Sequence, residues 1–311
     1  MFQRFGLWML LLTAVLGLAA CGESEKSVVP VPGTTNPFAD ARVGTDATLE
    51  ITTWNIESFA KKGEATVDAV IQAVEGMDVD IIALQEIESF TYFRELRERL
   101  TDWDGDRATS AGYNINLAFL YRTGDELEID SVYEILVDYS REFPRRPLVL
   151  EGRHLGVPFV VINNHYKCCG NGLIDEGDDW DEETRRRDAS LMLDEFIRTN
   201  YADRNVVVVG DFNDSLTDPA DRNVFQNFLD APEMYRFVDM GIAKGPGSGW
   251  SYPNYPSHLD HVLITAPLFS AYQGPKTLVE VVPLHTYLTN GLATYDPLIS
   301  DHLPVVLRLG F

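Results

Sequence analysis

The sequence predicts a single α/β (α+β) domain with strands running in both directions, and three observations predict it. β-type apolar runs outnumber amphipathic helical runs, and the two are interspersed from residue 47 to residue 311. Several strands are joined by connections of a few residues, which antiparallel pairing allows and an all-parallel βαβ sheet does not. Polar clusters recur at the ends of these runs along the whole stretch, which argues for one domain rather than two.

Composition sets the class. Hydrophobic residues make up 45% of the 311 residues, enough to bury a sizeable core, and the net charge of -23 argues against a general electrostatic grip on nucleic acid or anionic lipid. A local basic or metal-lined cleft remains compatible with that charge. Residues 1–20 read as a signal peptide: Arg4 precedes the mainly apolar run Gly6–Ala20, too short to span a bilayer comfortably. Leu18-Ala19-Ala20-Cys21 resembles a bacterial lipoprotein processing box, which implies lipidation at Cys21, export and anchoring in the cell envelope. Residues 21–46, rich in Ser, Pro, Gly and Thr, read as a flexible tether. Cys168 and Cys169 are adjacent; they are either a strained pair or two free thiols, and they lack zinc-site spacing.

The domain opens with alternating Leu49, Ile51 and Thr53, a strand. Val67, Val70, Ile71 and Val74 follow helical spacing. Val79–Leu84 is a buried strand, and a helix is expected over Thr91–Leu100. Further strands are expected at Leu117–Tyr121 and Leu127–Leu136, with a hairpin of Pro147–Leu150 and Pro158–Ile162. A charged helix, Glu182–Thr199, is expected to bury Leu191, Leu193, Phe196 and Ile197. Val206–Val209, Val262–Thr265, Leu278–Val282 and Val305–Leu309 complete the strands.

Six polar clusters sit at strand ends: Thr53-Trp54-Asn55-Ile56-Glu57, Leu84-Gln85-Glu86, Asn164-His165, Gly210-Asp211-Phe212-Asn213, Leu259-Asp260-His261 and Ser300-Asp301-His302. Singly, each is an ordinary turn, because Asn and Asp bond nearby backbone, and each His is an ordinary structural histidine. Jointly, they place carboxylates, amides and histidines where rigid elements can present them together. Oxygen donors without cysteines suit Mg²⁺, Mn²⁺ or Ca²⁺, and histidines near neutral pH serve as acid, base or phosphate donor.

In this order the clusters resemble the motif set of the endonuclease/exonuclease/phosphatase superfamily, across essentially all of residues 48–311. The resemblance implies a four-layered sandwich, two packed β-sheets flanked by helices, and a divalent-metal-dependent phosphodiesterase, foremost an exported nuclease. It implies Glu86 as chief metal ligand, with Asn55 and Asp301 near the metal. Asp211 would activate water, aided by Asn213; Asp260 would hold His302 against the scissile phosphate, and His165 would act near the leaving or a non-bridging oxygen. Arg145 or Arg146 resembles a phosphate-contacting position in deoxyribonuclease-type members, against the alternative of a solvated pair. A monomer acting on a phosphodiester, nucleic acid first, follows.

Other readings separate by assay. A sphingomyelinase-type phospholipase would suit the acidic surface, with Trp250–Tyr255 as a weak membrane-contact candidate; a sugar- or inositol-phosphate phosphatase is a further option, and a non-enzymatic binding module is the reading outside catalysis. His261 should face away from its neighbour Asp260, which favours a structural role. Asn171–Asp178 resembles half of a calcium-binding loop, but Lys167 and Cys169 occupy the other ligand positions, so a solvated acidic loop balanced by Arg185, Arg186 and Arg187 is expected.

Overall fold

The computed structural model describes residues 35–311 apart from Asp125. The expected signal peptide, Cys21 and the tether as far as residue 34 lie outside the described residues. The end of that tether is not free chain. Phe38 and Val43 are buried, the Val43 N–H donates to the Met77 carbonyl at 3.0 Å, and Asn36 Nδ2 donates to the Gln72 carbonyl at 2.8 Å. An aromatic and a β-branched residue within a polar stretch supply the apolar area that holds it, so the compact unit begins at Asn36.

The strands in chain order are β1 (Leu49–Phe59), β2 (Ile81–Ile87), β3 (Trp103–Arg107), β4 (Asn116–Arg122), β5 (Leu127–Glu134), β6 (Leu148–His154), β7 (Val157–His165), β8 (Val206–Asp211), β9 (Tyr235–Phe237), β10 (Asp260–Thr265), β11 (Leu278–Val281) and β12 (Val305–Leu309). They form two six-stranded sheets, ordered β11-β12-β1-β2-β4-β3 and β5-β6-β7-β8-β10-β9. Each is mixed: β1–β2 and β7–β8 are parallel, and the other pairs are antiparallel.

Between the sheets, Ile51, Ile81 and Phe119 meet Leu150, Val161, Val207 and Val262 in one buried layer. The outer face of the first sheet is covered by α1 (Glu64–Met77) and α2 (Phe90–Arg99), which bring Val67, Val70, Val74 and Phe93 onto Trp54, Ile82 and Leu120. Ser89 caps α2 by accepting from the Tyr92 N–H. The second sheet is covered by α3 (Glu182–Asn200), whose Ala189, Leu193 and Ile197 pack on Val149, Val160 and Val208. The four-layered sandwich is therefore observed.

Two differences concern burial and edges. On α3, Leu191 is 49% exposed and Phe196 only half-buried. The stripe runs instead through Arg185, Arg186, Ala189, Ser190, Leu193 and Ile197, because the start of the helix buries charged side chains, Arg186 paired with Glu183, rather than apolar surface. β3 and β9 do not stand out in the sequence. Both are edge strands; β3 carries Asp104, Gly105 and Asp106, and β9 has three residues, so neither makes an apolar period.

Candidate active site

The site is built where the strand ladders break. β1 and β2 pair in register as far as Asn55 with Gln85, and the register then slips before Phe59 and Ile87. Glu57, Ser58 and Glu86 adopt positive φ there, at 30°, 48° and 63°. Such conformations cost of order 1–3 kcal/mol each and persist where surrounding bonds fix them. Here the bonds are visible: Asn55 Nδ2 donates to Glu86 Oε1 at 3.3 Å, and the Ser58 N–H donates to Glu86 Oε2 at 2.9 Å.

The second sheet contributes a row. Parallel pairing sets His165 beside Asp211, and antiparallel pairing sets Asp260 on its other side, so the three side chains share one face. Gly210 permits this approach: a Cβ there would stand 2.0 Å from the Asn164 carbonyl oxygen, and its φ is +151°. Asp211 Oδ2 accepts from Asn55 Nδ2 at 3.0 Å and lies 3.6 Å from His165 Nε2 and 3.9 Å from His302 Nε2. Asn55 thus ties a carboxylate of one sheet to a carboxylate of the other.

His302 is fixed at both ends. Its Nδ1 lies 2.7 Å from Asp260 Oδ2. Its carbonyl accepts from the Tyr295 hydroxyl at 2.8 Å, and its N–H donates to Ser300 Oγ at 2.9 Å, while Ser300 Oγ donates to the Asn55 carbonyl at 2.6 Å. The Tyr252 ring lies 4.7 Å from the imidazole, centroid to centroid. The Trp250–Tyr255 segment therefore walls the site, although Tyr255 stays 73% exposed.

Burial and neighbouring charge divide the titratable groups. His302 is pushed up to about 10: burial opposes its charge, but Asp260, and beyond it Asp211 and Asp301, outweigh burial. His165 is held well below the usual imidazole range by burial, with Arg145 and His302 adding repulsion. One histidine is a cation and the other neutral at the same pH, the separation expected of groups with different tasks. Asp211 is raised to about 6, by burial and then by Asp260, with His302 and Asn55 pulling back. Asp301 is also raised to about 6, by burial and then by Glu57 and Glu86, against His302 and Lys61.

Those raised carboxylates test the implied metal. Glu57, Glu86 and Asp301 crowd like charge on one side of the site, and the donors are all oxygens, so a hard divalent cation fits. Glu86 and Asp301 would hold it. Asn55, expected beside the metal, uses its Oδ1 to accept from the Glu57 N–H at 3.0 Å and its amide N–H groups for the two carboxylates. Glu57, which carries no role in the motif reading, accepts from the Asp301 N–H at 3.0 Å and pairs with Lys61. Its position two residues past Asn55, inside the same polar cluster, was the available signal.

The remaining candidates separate clearly. Asn213 supports Asp211 through its main chain, the N–H donating to Oδ1 at 2.9 Å, while its side-chain amide donates to the Tyr166 carbonyl at 3.3 Å. Arg145 Nη1 donates to that same carbonyl at 3.4 Å, which places it beside His165; Arg146 instead donates to the Val137 carbonyl at 3.0 Å. His261 faces the opposite side from the reaction centre, among Phe212, Phe225 and Phe237. Asp239 Oδ2 accepts from it at 2.6 Å and from His258 at 3.0 Å. This buried trio and the group Asp181, Glu182 and Glu183 are compact enough to hold an ion. In the first, Asp239 Oδ2 is already taken by both histidines; in the second, Asp181 caps α3 and Glu183 pairs with Arg186. Asp175 and Asp178 likewise close turns onto the Gly177 and Trp180 N–H groups. Cys168 and Cys169 are free thiols, their sulfurs 2.9 Å apart.

A sequence model of the endonuclease/exonuclease/phosphatase family matches residues 52–302. No curated protein matches the chain. Among solved structures, D. rerio TDP2 complexed with a single-strand DNA product superposes with a TM-score of 0.64 at 15% identity, covering 86% of this chain and 100% of that one. The human Nocturnin catalytic domain with bound sulfate gives 0.62 at 17% identity, covering 86% and 96%. The Bacteroides thetaiotaomicron mannosyl-6-phosphatase gives 0.59 at 18% identity, covering 85% and 100%. At these identities the likeness is one of fold.

Proposed function

The chain belongs to the endonuclease/exonuclease/phosphatase family, whose members are hydrolases of phosphoester bonds, and from that premise we propose that it is a divalent-metal-dependent phosphodiesterase acting on nucleic acid, exported and lipid-anchored in the cell envelope through Cys21. The observation that carries the catalytic part is the charge separation around Asp211: neutral His165 on one side, cationic His302 backed by Asp260 on the other, and Glu86 tied in through Asn55.

A bound cation, Mg²⁺ foremost and Mn²⁺ or Ca²⁺ by the same donor chemistry, would neutralise phosphoryl charge beside Glu86 and Asp301. This chain's own groups do the rest. Asp211, held by the Asn55 amide and the Asn213 N–H, orients the attacking water and accepts its proton. The imidazolium of His302 faces a non-bridging phosphoryl oxygen and stabilises the charge that grows there. His165 offers a neutral donor to the leaving or a non-bridging oxygen, and Arg145 beside it adds a fixed positive charge. The water oxygen bonds to phosphorus as the bond to the leaving oxygen breaks, and that oxygen regains a proton from solvent. A positioned acid or base contributes ~10²–10⁴-fold.

The test is hydrolysis of plasmid DNA, single-stranded DNA and RNA with Mg²⁺, beside an Asp211→Ala control. No cleavage above that control would sink the nuclease reading, and choline-phosphate release from sphingomyelin or phosphate release from sugar or inositol phosphates would replace it. The anchor has its own test: Cys21→Ser should move the expressed protein from the membrane to the soluble fraction.

A further inference from the structure

A cavity of about 450 Å³ opens next to His165, lined by Arg145, Arg146, Lys167, Cys168, Trp180 and Arg185. Its electrostatics contrast with the rest of the chain. In a protein of net charge -23, most cations would be expected to find a carboxylate. Three of these do not. Arg145, Arg146 and Arg185 donate to the main-chain carbonyls of Tyr166, Val137 and Arg141, and none has a carboxylate at ion-pair distance among the described residues. Arg185 is 8% exposed. Burial, with repulsion from Arg141 and Arg145, holds its pKa below the ordinary value against the pull of Glu182 and Glu142, and an anion bound in the cavity would offset that burial. A buried guanidinium with no carboxylate in direct contact gains from an anion that binds it directly.

The same cavity carries a flat apolar surface. Trp180 is 66% exposed, and the Arg185 guanidinium stacks on it 5.5 Å from its ring centroid. Both come from the loop and helix start after β7, so the feature is separate from the strand-end motifs. The cavity joins the reaction centre through one atom: the Tyr166 carbonyl accepts from both Arg145 on the cavity side and Asn213 on the catalytic side.

We propose that this cavity is a nucleotide subsite: it holds a phosphate of the strand adjacent to the bond being cut, against Arg145, Arg146 and Arg185, with that nucleotide's base stacked on Trp180. The proposal rests on the nuclease reading and narrows it to single strands. A base paired in a duplex cannot present its face to Trp180, and a chain this acidic lacks the broad basic surface that a long duplex engages. A half-enclosed cavity of this volume suits one nucleotide, and base-on-aromatic stacking is tolerant of sequence.

The test separates binding from cleavage. Full-length chain carrying Asp211→Asn, with and without a second substitution, is titrated with fluorescein-labelled tetrathymidylate and followed by anisotropy; the unsubstituted chain is assayed separately on bis(4-nitrophenyl) phosphate with Mg²⁺. Trp180→Ala, at an exposed position, and Arg185→Gln should each weaken tetrathymidylate binding about tenfold, within the range of losing one stacked base. A hairpin duplex long enough to stay paired should bind less tightly than the single strand. Unchanged binding in Trp180→Ala, or a duplex bound as tightly as the single strand, overturns the subsite. Failure to hydrolyse the nitrophenyl ester overturns the phosphodiesterase reading, and the anisotropy result stands apart from it.

Discussion

His302 Nδ1 lies 2.7 Å from Asp260 Oδ2, and this contact sets the charge of the whole site. Asp260 holds the imidazole as a cation, and that cation in turn limits the rise of Asp211 and Asp301. Asp260→Asn should keep the geometry and lose the charge. Its hydrolysis rate should fall ~10²–10⁴-fold, and the His302 pKa, followed by NMR, should drop from about 10 toward the ordinary imidazole value. An unchanged pKa would assign the shift elsewhere.

The pH–rate profile follows from the same groups. Asp211 must be ionised to take a proton, so activity falls on the acid side as pH drops through about 6; a cation bound at Glu86 moves that limb lower. His302 must be protonated, so activity falls on the alkaline side as pH rises toward about 10. Initial rates across pH check both limbs. Asp260→Asn should pull the alkaline limb down toward neutrality.

Gly210→Ala tests the seam that brings β7 and β8 together. The added Cβ would meet the Asn164 carbonyl at 2.0 Å, and backbone has to move. Overpacking of this kind costs typically ~1–3 kcal/mol, read as a lowered Tm. Because His165 and Asp211 lie one residue beyond this contact in register, activity should fall further than the stability loss explains.

The buried Asp239–His261–His258 group predicts a stability window. The Asp239 carboxyl is held below the usual range by the two histidines despite burial, and His261 is raised by Asp239. The Asp239 contribution is present above its unfolded value of about 3.9 and lost as pH falls through the lower folded value; the His261 contribution is present below its unfolded value of about 6.5 and lost as pH rises through the higher folded value. Both are complete between about 4 and 6.5. Asp239→Ala, which leaves buried histidines unpaired, should cost ~3–5 kcal/mol there, with a smaller loss at pH 9, measured by denaturant unfolding.

Much of this was legible in the sequence, for identifiable reasons. The strands that carry the motifs are central and long enough to show an apolar run, and each motif residue sits at its end, so order along the chain sufficed to propose the constellation. The pieces that escaped are those whose signal is not periodic. β3 and β9 are short edge strands. Phe38 and Val43 anchor a stretch that reads as linker because two buried side chains do not shift its composition. Glu57 gained its place through a ladder slip, which single residues do not announce. Arg185 looked like one of three arginines balancing an acidic loop; in the fold, Arg186 takes Glu183 and Asp214, Arg187 takes Glu176, and Arg185 is left facing the cavity.

The metal side predicts its own behaviour. Glu86→Gln removes a charge from the crowded carboxylates, so the Asp301 pKa should move down and metal affinity should weaken by more than the ~10–100-fold typical of losing an outer-shell partner. Calorimetric titration with Mn²⁺ measures this. Asn55→Ala should leave more affinity than Glu86→Gln, because its oxygen is already engaged by the Glu57 N–H.

The most direct measurement is the rate at which the purified chain hydrolyses single-stranded DNA with Mg²⁺, with EDTA, and with Mg²⁺ after Asp211→Asn. Cleavage that requires the cation and falls ~10²-fold or more in Asp211→Asn is the predicted result. Cleavage that survives both EDTA and the substitution, or no cleavage under any of the three conditions, would contradict it.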